Sequence, residues 1–119
     1  MPSNDEGLRF RDILDNIARI RRHLAGMTFD QFVEDEKTQD AVERCLERIT
    51  EAARKIGDRL DMKYPNVEFH KLRQFGSVLR HDYGGVDTDL VWTAATRRLV
   101  LLERAISQEL IDDPQPRAF

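Results

Sequence analysis

Cysteine is almost missing from this chain. Cys45 is the only one in 119 residues, so no disulfide can close within the chain, and zinc sites built on two or more cysteines are excluded in a single copy. A reducing compartment fits. Glycine (six) and proline (four) are also scarce, which favours helices over folds that need many turns. No apolar run approaches the roughly 20 residues that cross a bilayer. The acidic stretch Met1-Pro2-Ser3-Asn4-Asp5-Glu6 lacks the order of charge and apolarity found in a secretory signal. The expectation is a cytoplasmic protein with no membrane attachment. An excess of positive charge is lacking too. The formal net charge is -3, which argues against a dedicated nucleic-acid coat, because that affinity comes mainly from many Lys and Arg neutralising phosphates. A local basic cleft remains open.

What is present is 40% hydrophobic and 34% charged residues, a balance suited to amphipathic helices. At this length a folded chain buries roughly two-thirds of the surface it exposes when unfolded, enough for one self-standing core. A single domain over 1–119 is expected, with flexible tails at 1–6 and 113–119.

Hydrophobic spacing places the helices. From Leu8 to about Ala25, Phe10, Ile13, Leu14, Ile17, Ile20 and Leu24 recur at three- and four-residue steps, one stripe of an amphipathic helix. Its other face carries Arg9, Arg11, Arg19, Arg21 and Arg22. That face is either a solvated one paired with Asp12 and Asp15 or a strip that contacts RNA. Thr28-Phe29-Asp30-Gln31 has the capping-box pattern and predicts a short helix to about Val33, with Phe29 and Phe32 inward. The longest helix is expected over about Lys37 to Lys63, stopped by Pro65. Phe69, Leu72, Phe75, Val78 and Leu79 keep helical spacing up to Tyr83, in one helix or two short ones. Asp87 is a good N-cap for a last helix with Leu90, Val91, Ala95, Leu99, Leu102, Ile106 and Leu110 inward, ending before Pro114. No segment alternates polar and apolar residues as a strand would. The prediction is an all-α antiparallel bundle of three long helices plus short ones.

Most catalytic templates find no match: there is no P-loop, GxGxxG, HExxH, CxxC or GxSxG. Neither a metal site nor a cofactor is expected. Arg80-His81-Asp82-Tyr83, ahead of Gly84-Gly85, gathers a guanidinium, an imidazole, a carboxylate and a phenol at a helix end beside a flexible break. A histidine there also has a purely structural use, since its cationic form suits the negative end of the helix dipole. His23 and His70 stand among charges without metal-ligand spacing.

The block His81-Asp82-Tyr83-Gly84-Gly85-Val86-Asp87-Thr88-Asp89-Leu90-Val91-Trp92 resembles the H-D-Y-x-G-V-D-x-x-x-V-W block of the HepT-like proteins of the HEPN superfamily, small all-α proteins of bacteria and archaea. Thr38-Gln39-Asp40-Ala41-Val42 and Ile49-Thr50-Glu51-Ala52 are similar to the family's second-helix signature. The likeness covers nearly the whole chain.

The resemblance implies an HEPN-like bundle and a metal-independent RNA endonuclease acting as the toxin of a toxin–antitoxin pair. It implies a homodimer or higher even oligomer, with the sites at the interface, and a minimal nucleotidyltransferase as antitoxin partner. His81 would then act as acid or base on the RNA 2′-hydroxyl and leaving oxygen, beside an arginine that stabilises phosphoryl charge. Tyr83 falls on the tyrosine that the partner modifies with AMP in some members.

The sequence departs from the family at one position. The ribonuclease motif is R-x4-6-H-x-Y, and with His81 fixed the arginine should stand at 74, 75 or 76, which are Gln74, Phe75 and Gly76. The alignment puts Gly76 in the arginine's place. Arg73, one turn earlier on nearly the same face, and Arg80, adjacent to His81 but about a quarter-turn away, are the candidate substitutes. Two readings follow: an RNA endonuclease impaired or re-armed at this position, or a catalytically inactive homologue that serves as dimeric binding partner of the nucleotidyltransferase.

Overall fold

The structure is a computed structural model that describes residues 6–81 and 87–112. Among these residues there is no strand, and the chain forms an all-α bundle. Its elements are α1 (Glu6–Leu24), α2 (Phe29–Val33), α3 (Glu36–Ile56), a 3₁₀ turn (Pro65–Val67), α4 (Phe69–His81), α5 (Thr88–Thr93), a π-helical turn (Ala94–Arg98) and α6 (Leu99–Asp112). No helix among the described residues is long and apolar enough to cross a membrane.

α1 lies along α3 as the central pair, with α6 against α1 and α4 against α3. The α1 stripe buries Phe10, Ile13, Ile17, Ile20 and Leu24 against Val42, Leu46, Ile49 and Ala53 of α3 and Leu102 and Ile106 of α6. Helices with apolar residues at these spacings gain little from propensity alone; burial of the shared stripe supplies most of their stability. Cys45 is 1% exposed, and burial pushes its thiol upward against the opposing pull of Arg48, Arg19 and Arg22.

α2 begins with a full capping box: the Thr28 side chain accepts from the Gln31 N–H, and the Gln31 side chain accepts from the Thr28 N–H. The box aims Phe32 into the core and Phe29 at its edge. Trp92 of α5 packs on both, with ring centroids 5.7 Å from Phe29 and 5.2 Å from Phe32. This aromatic cluster fastens the shortest helix.

Two elements differ from the sequence-based expectation. α3 ends at Ile56, not near Lys63, because Gly57 takes φ 82 and its N–H caps the carbonyls of Ala53 and Arg54. A left-handed backbone is easy only for glycine, so the helix stops there. Leu60 still reaches the core, at 1% exposure, from the turns that follow. In the last segment the side chains 91, 95 and 99 step by four twice, which drifts off one α-helical face. The π turn takes up the drift, keeping Val91, Ala95 and Leu99 buried while Leu90, expected inward, is 54% exposed. Thr96 Oγ1 donates to the Trp92 carbonyl at 2.7 Å, serving a backbone acceptor within the loosened turn.

The far end of the bundle is closed by Glu109 of α6. Its carboxylate is buried, 5% exposed, and accepts from Lys63 Nζ at 2.6 Å and Tyr64 Oη at 2.7 Å. Arg59 reaches it at 3.4 Å and also forms a two-bond pair with Glu6. Burial alone would raise this carboxyl, but the bonds from Lys63 and Tyr64 and the Arg59 charge outweigh it and hold Glu109 below the ordinary carboxylate value. Its contribution is therefore complete above the unfolded carboxylate pKa and is lost as pH falls through the lower folded value. Glu109→Gln should lower unfolding free energy by about 2 kcal/mol at neutral pH, the range for hydrogen bonds to a charged group. Urea titrations of both proteins across acid pH should show that difference shrinking.

Candidate functional site

The site is built where α4 crosses α3. α4 buries Phe69, Gly76 and Leu79, and Gly76 faces Thr50, itself 1% exposed. A Cβ placed on Gly76 would stand 2.7 Å from both Thr50 Cβ and Thr50 Oγ1. No side chain fits there without moving a helix. Thr50 is fixed in turn, its hydroxyl donating to the Glu47 carbonyl at 3.0 Å. Glycine at 76 thus lets the two helices touch.

The same Cβ would lie 3.2 Å from Arg80 Nη1. Arg80, one turn further along α4, folds its guanidinium back over Gly76 and covers the direction in which a side chain at 76 would leave the helix. It is held loosely, with Nη1 3.8 Å from Glu51 Oε1 and 39% of the side chain exposed. Glu51 is shared: Arg54 binds it with two hydrogen bonds of 3.1 and 2.7 Å, and Lys55 stands at 4.0 Å. The Arg54 bonds, joined by the Lys55 and Arg80 charges, hold the Glu51 carboxyl below its ordinary value. His81 follows Arg80, exposed, as the last residue of α4. Tyr83, with Asp82 and residues 84–86, lies outside the described residues.

Arg73 sits elsewhere. Its guanidinium forms a two-bond pair with Asp61, at 3.0 and 2.6 Å, and also donates to the Gly57 carbonyl at 3.1 Å. The pairing lowers the Asp61 carboxyl, chiefly through the Arg73 hydrogen bonds. Arg73 is thereby committed to the connection between α3 and α4, eight residues or about 12 Å along the helix from His81. Of the two arginines singled out as substitutes, only Arg80 has its guanidinium over position 76, and it directly precedes His81 in the chain.

Two cavities flank α4. One, of about 420 Å³, opens between α1, α3 and Arg80 and is lined by charged side chains. The other, of about 280 Å³, is mostly apolar, with Leu72 and Phe75 of α4 facing Leu99 and Leu102. Its rim cations Lys71 and Arg98 both pair with Glu68. Among the described residues no three His, Cys, Asp or Glu are grouped to hold a metal ion.

Residues 13–109 match the Ribonuclease HepT-like family. The chain belongs to the HepT-like family. Among its relatives, "Putative RNase MJ0127" of Methanocaldococcus jannaschii is 37% identical over 77% of this chain and 76% of that protein. "Putative RNase MJ1216" of the same organism is 31% identical over 94% and 93% of the two chains. "Probable ribonuclease HepT" of Thermococcus cleftensis is 33% identical over 68% and 74%. No solved structure matches. The HepT-like bundle here is thus a ribonuclease-family fold whose position 76 is filled by helix packing.

The Gly76–Thr50 contact sets a clear expectation. Alanine gains about 1 kcal/mol over glycine in an ordinary helix, yet Gly76→Ala should destabilise this protein by about 1–3 kcal/mol through overpacking. Chemical denaturation decides the sign, and a gain in stability would show that α4 can move away from α3.

Proposed function

We propose that this HepT-like protein is an RNA endonuclease in which Arg80 supplies the cation that Gly76 cannot, with His81 as the proton-transfer group. The supporting observation is the guanidinium of Arg80 lying over Gly76, with Nη1 3.2 Å from where a Cβ would stand. RNA carries its own nucleophile. The 2′-hydroxyl attacks the adjacent phosphorus, the bond to the 5′-oxygen breaks, and a 2′,3′-cyclic phosphate and a 5′-hydroxyl result. His81 takes the 2′-hydroxyl proton or delivers one to the leaving oxygen. A planar guanidinium matches the two non-bridging oxygens, on which charge builds in the transition state. This route needs no metal-activated water.

In the wider reading the protein is the toxin of a toxin–antitoxin pair, a homodimer or higher even oligomer whose two-fold axis brings two copies of the Arg80–His81 pair near each other. The antitoxin is a minimal nucleotidyltransferase that adds AMP to Tyr83. The added phosphate brings negative charge and bulk close to His81, which would repel RNA.

A second reading has its own support. Position 76 is closed by Thr50, and Glu51 competes for Arg80. A chain whose catalytic cation is held back in this way would survive as an inactive, dimeric partner of the nucleotidyltransferase.

Cleavage of tRNA and mRNA in EDTA separates the two. The unaltered protein should cut, His81→Ala should abolish cutting, and Arg80→Ala should reduce it by about a hundredfold or more, the effect of losing one well-placed transition-state donor of about 3 kcal/mol. Arg73→Ala should lower stability and leave the rate per folded molecule unchanged. Glu51→Gln, which releases Arg80, should not reduce the rate. If neither the unaltered protein nor Glu51→Gln cuts, the inactive-partner reading replaces the first. Cutting that survives His81→Ala overturns the assignment of His81.

A further inference from the structure

We propose that the cleft between α1 and α3 is a track for the phosphodiester backbone of single-stranded RNA, ending at Arg80 and His81. The naming of RNA, rather than another polyanion, rests on the ribonuclease reading above. Arg9, Arg44, Arg48, Lys55 and Arg80 line this cleft of about 420 Å³. Three carboxylates, Asp12, Glu47 and Glu51, stand among them. The cleft therefore has a surplus of two positive charges in a chain whose formal net charge is -3. Charge of one sign has been gathered here against the overall balance, as happens where a protein concentrates a charged ligand.

The pairing of these cations is incomplete. Arg9 and Arg48 make no ion pair among the described residues. Arg80 stands beyond hydrogen-bond distance of Glu51, at 3.8 Å, and Lys55 is 4.0 Å from it. Arg44 pairs with Glu47 at 2.9 Å, but 63% of its side chain is exposed. Exposed pairs of this kind contribute little to stability, so the stripe is not explained by what it does for the fold. Buried pairing is used elsewhere in the molecule, at Glu109.

The geometry suits a strand. α1 and α3 run antiparallel, since Glu6 at the start of α1 pairs with Arg59, just beyond the end of α3. On α3 the cleft residues Arg44, Arg48 and Lys55 span eleven residues, about 16 Å along one helix face. Arg19 and Arg22 of α1 extend the positive field past the cleft, acting with Arg48 on the Cys45 thiol beneath. At the floor, Asn16 is 6% exposed. Its Nδ2 donates to the Asp12 carbonyl at 2.8 Å, while its Oδ1 has no donor among the described residues. A nucleotide offers the complement to the charge of the cleft, its phosphate oxygens matching the guanidinium groups.

The test reads binding without cleavage. A fluorescent 2′-O-methyl oligouridylate has no free 2′-hydroxyl, so its affinity for the full chain can be followed against salt even in active protein. For a single strand the slope of log K against log salt is about −0.7 per phosphate contact. Arg9→Ala with Arg48→Ala should flatten that slope by about 1.4 and weaken binding about tenfold near physiological salt. Arg9→Lys with Arg48→Lys should keep both, which separates charge from any disturbance of folding. Arg97→Ala with Arg104→Ala, outside the cleft, removes the same net charge and should change the slope far less. Equal effects from the two alanine pairs, or no salt-dependent binding by the unaltered protein, would overturn the track. A cleavage assay that failed while the Arg9 and Arg48 slope change held would leave an RNA-binding cleft and remove only the ribonuclease reading.

Discussion

The approach of Gly76 to Thr50 governs the geometry around the site. Two helices with ordinary side chains at their crossing keep their axes 8–10 Å apart; a glycine facing a β-branched residue removes one layer of atoms from the gap. α4 is thereby drawn onto α3 at the place where Glu51 follows Thr50 and Arg80 follows Gly76 by one turn. The pairing of Arg80 with Glu51, the cover of Arg80 over Gly76 and the entry of Arg80 into the polar cleft all come from that crossing. A larger residue at 76 would move this whole group, including His81, away from α3. Position 76 is thus a packing position.

Charge is divided between a buried end of the bundle and an open cleft according to what burial permits. At one end Glu109 is buried and fully answered by Lys63, Tyr64 and Arg59, and Arg73 with Asp61 closes the neighbouring connection. These pairs are short because carboxylates removed from water must be matched closely. Along the α1–α3 cleft the cations are long, half-exposed and under-paired, a state tolerable only where water, or a ligand in place of water, completes them. The same residue type serves both settings: Arg73 is structural because Asp61 meets it within hydrogen-bond distance, and Arg80 is available because Glu51 does not.

The helices could be read from spacing, since each buries a stripe that recurs at three and four residues. The capping box at Thr28 and the N-cap at Asp87, whose side chain accepts from the Asp89 N–H, were equally legible. The end of α3 was not, because Leu60 continues the apolar rhythm through turns that are no longer helical. Gly57 was the available signal: a lone glycine after basic residues is a common helix stop. Within the site, Arg80 and His81 stood out by their concentration of polar groups beside Gly84-Gly85. The commitment of Arg73 was hidden, since its partner Asp61 lies in a connection with no periodic pattern. The cleft was hidden for a related reason. Its residues come from three helices, and each helix alone presents only an ordinary charged face.

The π turn at Ala94–Arg98 has an evolutionary consequence. An α-helix gives about 100° per residue, so a chain carrying one residue fewer between Val91 and Leu99 could bury the same two side chains with a regular helix. The turn has the form of a single-codon insertion retained within a helix. A relative whose helix lacks the π turn would align with a one-residue gap inside this helix, where gaps are ordinarily penalised as errors. An ungapped alignment would set every residue of α6, Glu109 included, one position out of step with its structural equivalent.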